Sequence, residues 1–160
     1  MKPPLRFLAT ALVAFSFAAC SKPGPVAAAP SAAKHEHQAP HGGTPVVLGH
    51  EAYHLELIRD AIAGKLTAYV LDGEMDSFVR VKAASFEVIA SGGAEKRVLV
   101  FRAIANSATG ETVGDTAQFE AQADWLKSDA TFEALLASLE IRGSIFTAVA
   151  FNFPRGNDKD

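Results

Sequence analysis

At 160 residues, with 15 Lys and Arg against 18 Asp and Glu, the chain carries a formal charge of −3. That mild acidity argues against nucleic acid as a partner, because phosphate backbones are bound by basic patches. A single cysteine, Cys20, and five histidines confined to residues 35–54 narrow the available chemistry further.

Residues 1–19 read as a signal peptide and stand outside the fold. Lys2 and Arg6 supply a positive start, and Phe7 to Ala18 is an apolar run too short for a comfortable membrane span. The run ends in Phe17-Ala18-Ala19-Cys20. This resembles a bacterial lipobox, with Phe17 where leucine is usual. The resemblance implies that Cys20 is acylated, becomes the first residue of the mature chain and anchors it in the lipid bilayer. An ordinary signal peptide cut near Ala19 would leave Cys20 as a spare thiol instead. Ser21, rather than Asp, follows the cysteine, which implies an exported product on the outer membrane, facing the periplasm, if the host is Gram-negative. Acylation of Cys20 leaves no thiol for a disulfide, a thiolate metal site or cysteine catalysis. Loss of Lys2 and Arg6 takes the formal charge from −3 to −5.

Residues 20–40 comprise Cys20 and a linker rich in Pro and Ala, a composition that favours extended geometry and forms no core. Residues 41–160 are long enough for one domain with a real core. Lys65 to Leu71 and Ser77 to Val81 are strand-like, with Asp72-Gly73 between them as a hairpin signal. Ser85 to Ala90 and Arg97 to Ala105 flank Ser91-Gly92-Gly93, and Asn106 to Asp115 reads as a long polar turn. In Gln118 to Trp125 the residues Phe119, Ala121, Ala123 and Trp125 alternate with Glu120, Gln122 and Asp124, the signature of a half-buried antiparallel strand.

The next segment follows another period. Phe132, Leu135, Leu136 and Leu139 recur at i, i+3, i+4 and i+7, which predicts a short helix over residues 130–138. Ser128-Asp129 before it suits a helix cap better than a catalytic pair. From Ile145 to Phe153 the two-residue period returns, with Ile145, Thr147, Val149, Phe151 and Phe153 expected on one face, and Pro154 ends the run. Short strands separated by turns, with one helical crossover, predict a mainly β fold: an antiparallel two-sheet β-sandwich of immunoglobulin-like size.

Neutral imidazole is the commonest protein metal ligand, so the histidines are the candidate site. His35 and His37 form a His-x-His pair in the linker. In an extended chain such a pair lies on one side, roughly 6–7 Å apart, and closes on one ion if the chain bends. His41 stands beside Gly42 and Gly43, which permit a sharp turn or a close approach. Tyr53, Leu55 and Leu57 are expected to face the core, placing His54 and Glu56 together on the opposite face. His50 shares the parity of His54 but is about 13 Å away along a strand, which makes it the weakest member. With no free thiol and only Met75 as a soft donor after processing, imidazole and carboxylate suit Cu(II) or Zn(II), with Ni(II) also open.

The run from His41 to Gly73 resembles a small module of bacterial exported proteins, found in periplasmic adaptor subunits of heavy-metal efflux systems and in uncharacterised lipoproteins. The matching positions are His41, Gly42, Gly43, His54, Glu56, Gly64, Tyr69 and Asp72. The resemblance covers about a fifth of the chain and implies a metal-related periplasmic module. The long coiled-coil hairpin of an efflux adaptor has no counterpart in the sequence.

Two functions fit these residues. One is an envelope lipoprotein that binds copper or zinc through His41, His54 and Glu56, aided by His35 and His37, for buffering or delivery. The other is a structural or adaptor lipoprotein that meets an envelope protein partner and has no metal role. No nucleophile elbow, HExxH or phosphate-binding loop marks an enzyme.

Overall fold

Residues 38–92 and 95–157 are described by a computed structural model. Eight strands form one antiparallel sheet: β1 (Thr44–Leu48), β2 (Tyr53–Asp60), β3 (Lys65–Asp72), β4 (Ser85–Gly92), β5 (Glu95–Ala103), β6 (Gln118–Gln122), β7 (Phe132–Ile141) and β8 (Ser144–Phe153). Their order in the sheet is β1-β2-β3-β6-β5-β4-β7-β8. The sheet curls until it nearly closes into a barrel, so the expected two-sheet sandwich is corrected to a single sheet. Alternation alone cannot separate the two architectures, because both bury one side of every strand.

The enclosed face carries the core. Leu55 and Leu57 of β2, Leu66, Ala68 and Val70 of β3, and Phe119 and Ala121 of β6 are buried there. Phe86 of β4 stacks on Phe101 of β5 at 4.9 Å between centroids and meets Phe119 edge-on at 5.1 Å. Leu126, in the short 3-10 turn Asp124–Lys127, adds to this core.

The edge of β1 is joined to the segment that follows β8. The Val47 amide donates to Asn157 Oδ1 at 2.7 Å, and Asn157 Nδ2 returns a bond to the Val47 carbonyl at 3.1 Å. The Thr44 hydroxyl donates to the Pro154 carbonyl at 2.9 Å. Phe146 lies edge-on against Tyr53, 5.9 Å away. Asn157 thus bonds the edge of β1 as a strand would, which blunts an edge otherwise open to other chains.

The helix expected over residues 130–138 is replaced by strand β7. Phe132, Ala134 and Leu136 are buried, and then Leu139 and Ile141, so the strand changes face between Leu136 and Leu139. The change falls between the pairs Leu136–Val149 and Ser138–Thr147, where Ala148 has φ of 53°. That single three-residue step, together with the half-buried Leu135, imitates helical spacing. β8 changes face at the same place. Phe151 and Phe153 are buried while Ile145 is 65% exposed, so the single face expected for Ile145 to Phe153 is not kept. Ser77 to Val81 forms isolated bridges at Phe78 and Val81 rather than a named strand.

Candidate functional site

The site begins on β2, where both faces are covered. Leu55 and Leu57 point into the barrel, and His54 and Glu56 are fully buried on the other side. Burying a carboxylate costs several kcal/mol unless its oxygens are paired. Here the segment before β1 supplies the partners. Glu56 Oε1 accepts from the His41 amide at 2.8 Å and from the Gly43 amide at 2.9 Å. Glu56 Oε2 meets His41 Nδ1 at 2.7 Å. One carboxylate therefore clamps the whole His-Gly-Gly arm to the sheet.

The glycines are what this clamp requires. Gly42 adopts φ of 68° and its amide donates to the Ala39 carbonyl, which turns the chain so that the amides on either side converge on Glu56. At Gly43 a Cβ would lie 2.7 Å from Glu56 Cγ and 2.8 Å from the Leu57 carbonyl oxygen. Only glycine lets the backbone come so close.

Pairing across β2 and β3 sets the rest. Glu56 is opposite Tyr69, and His54 is opposite Leu71. The His41 ring stacks on Tyr69, with 4.4 Å between centroids and 21° between planes. Phe78 closes the group at 5.7 Å from both rings. Burial raises the pKa of the Tyr69 phenol, helped by Glu120 and Glu56, so the phenol stays protonated.

These three rings form one wall of a cleft of about 410 Å³, whose polar side includes Arg80, Asn106 and Glu111. The Arg80 guanidinium donates to Asp115 at 3.1 Å and to the Thr109 carbonyl. Burial pushes the Glu111 carboxyl up. The Thr109 hydroxyl, the Ala117 amide and the Arg80 charge outweigh burial and hold it below the usual carboxylate range. The cleft thus offers an aromatic face beside polar groups already fixed in place.

The His41 side chain is 40% exposed, while the Glu56 carboxylate it bonds is fully buried. Its Nδ1 edge is thus the inner one. With a carboxylate accepting at Nδ1, the neutral ring carries its proton there, and Nε2 presents a lone pair. A carboxylate that fixes a histidine tautomer is a recurrent arrangement behind metal ligands and general bases.

Of the candidate metal ligands, His41 and Glu56 come together, but as hydrogen-bond partners that use both carboxylate oxygens. His54 Nδ1 lies 3.2 Å from the Asp72 carbonyl oxygen. Among the described residues no group of three His, Cys, Asp or Glu side chains could hold a metal ion, which corrects the copper or zinc expected there. His50 lies exposed in the turn before β2, and Met75 is buried. His35, His37 and Cys20 lie outside the described residues. Sequence reasoning missed Phe78, Arg80 and Glu111 as neighbours of His41. No local period marks them, because the isolated bridges Leu71–Phe78, Val81–Thr116 and Asn106–Glu111 bring their segments together.

The class so defined is a single-sheet, barrel-like β domain with a carboxylate-clamped histidine in the wall of an aromatic cleft. Searches with the sequence and the structure against protein-family models, curated proteins and solved structures returned no match.

Proposed function

We propose that this is an envelope-tethered binding module whose cleft takes a small hydroxylated ring compound, of the saccharide class. The reading rests on one observation: Glu56 holds His41 at Nδ1, and the His41 side chain, 40% exposed, lines a ring-walled cleft. A hydroxylated ring presents C–H faces that pack on Tyr69 and Phe78, and a hydroxyl that donates to His41 Nε2. Asn106, Arg80 and Glu111 supply the polar side. Ligand sites typically combine apolar and aromatic lining with a few placed polar groups, as here. The lining holds one charge of each sign, Arg80 and Glu111, which favours an uncharged ligand over a strongly charged one. The tether is the reading of Ala18-Ala19-Cys20 and of the Pro- and Ala-rich residues that follow.

Saturation-transfer NMR with a panel of mono- and oligosaccharides tests the cleft. At least one saccharide is expected to show transfer from the parent protein. The signal should vanish in His41→Ala and in Phe78→Ala while the fold persists. If every saccharide fails, or binding survives both substitutions, the reading is wrong.

A further inference from the structure

We propose that a second cleft, between the Arg80–Ala83 segment and the β7–β8 turn, is a binding site for a phosphate group. The cleft measures about 590 Å³ and is lined by Arg80, Lys82, Glu140 and Arg142 among others. Three cations therefore converge against one carboxylate in a chain whose overall charge is negative. Arg80 is already paired with Asp115. Among the described residues Lys82 and Arg142 make no ion pair. Both are exposed and open to an incoming anion.

The backbone adds an independent reason to single out Arg142. The turn from Ile141 to Ser144 has two central residues, Arg142 at φ of 49° and Gly143 at φ of 87°. Two positive values define the mirror-image hairpin turn, whose first central position favours Asn, Asp or Gly. An arginine there holds a left-handed backbone that its side chain disfavours. Nothing in the turn requires arginine for folding. Strain retained at an exposed turn points to a role for the side chain itself.

The ligand class follows from the donors. A guanidinium offers a planar fork suited to two oxygens of a phosphate, and an ammonium adds a point charge. Glu140 offsets one charge, and the positive surplus that remains favours a phosphate, which carries more charge and more anionic oxygens than a simple carboxylate. The phosphate is either free in solution or part of a lipid headgroup. This proposal stands apart from the saccharide reading, because it concerns a different cleft and rests on Lys82 and Arg142, which do not line the first; Arg80 borders both.

The test uses the full-length chain with two probes: inorganic phosphate, followed by NMR of the Lys82 and Arg142 regions, and vesicles of phosphatidylglycerol in phosphatidylcholine, followed by co-sedimentation. R142N is expected to weaken binding about tenfold, as loss of a charge-assisted pair does. It should also raise the melting temperature by roughly 2–5 °C as the turn relaxes. K82A should weaken binding about threefold without that gain. Binding of inorganic phosphate assigns the site to soluble phosphates, and Arg142-dependent binding of vesicles alone assigns it to headgroups. Either outcome supports the proposal. It is overturned if neither probe binds, or if R142N binds both as well as the parent chain.

Discussion

The two faces of β2 are buried to the same degree by opposite means. On the inner face Leu55 and Leu57 are covered by hydrocarbon from neighbouring strands. On the outer face Glu56 is covered by an arm that exists in its observed path because of Glu56 itself. Apolar burial is non-directional, so its energy scales with area and many shapes satisfy it. Carboxylate burial is directional, and here its three bonds specify the position of one arm and one imidazole ring. The inner face stabilises the sheet, and the outer face places a side chain.

The largest effect expected on this comparison is on the inner face. Leu57→Ala removes a fully buried side chain and should destabilise the domain by about 2–5 kcal/mol. Chemical denaturation measures the loss. The His41 ring resonances should stay in place below the transition, because the arm depends on Glu56 and not on Leu57. If those resonances shift toward free-histidine positions in the folded variant, the two faces are not separable.

Gly43→Ala is the matching change on the outer face. The new Cβ would press on the Leu57 carbonyl, which is backbone and cannot swing aside. A loss of about 1–3 kcal/mol is expected, as for an overpacked site. Gly42→Ala has no atom within 4 Å of its Cβ and meets only the cost of a positive φ. It should therefore lose about 1–2 kcal/mol. Hydrogen exchange at the Gly43 amide separates the two, since only the first substitution should break its bond to Glu56. Equal, undiminished protection in both variants would show that the clamp is not tight.

How much of this was legible in the sequence depended on whether the relevant contact was local. The alternation of Leu55 and Leu57 against His54 and Glu56 was readable because it is a property of one strand. So was the polar turn from Asn106 to Asp115, which follows from turn chemistry. The two runs expected on either side of Ser91-Gly92-Gly93 do pair, as β4 and β5, but Ser91 and Gly92 belong to β4 rather than to the break between them. His41, its two glycines and Glu56 could be grouped as a pattern. Their relation as arm and clamp could not, because it requires knowing that the segment before β1 folds back over β2. β7 misled for a physical reason. A strand that changes face shifts its apolar residues by three, and a shift of three is also helical. Sheet closure was illegible because Val47 and Asn157 are 110 residues apart. Neither residue type announces such a bond.

Glu56→Gln separates structure from function with the least disturbance. The shape is kept, and the amide has one settled orientation. Glu56 Oε1 accepts two backbone amides, so the glutamine oxygen must take that position, since its NH2 there would face two donors. The NH2 then faces His41 Nδ1, which becomes an acceptor, and the ring proton moves to Nε2. The loss of stability should be about 1 kcal/mol, the difference between charged and neutral hydrogen bonds. The effect at the cleft is a reversal, because a lone pair is replaced by an N–H. Long-range ¹⁵N correlation spectra of the imidazole are expected to report the Nδ1–H tautomer in the parent and the Nε2–H tautomer in the variant. A ligand that donates to His41 should then bind at least about tenfold more weakly, since the site would set donor against donor. A ring that keeps its proton on Nδ1 would mean that Glu56 does not set the tautomer, and the outer face would then serve only to hold the arm.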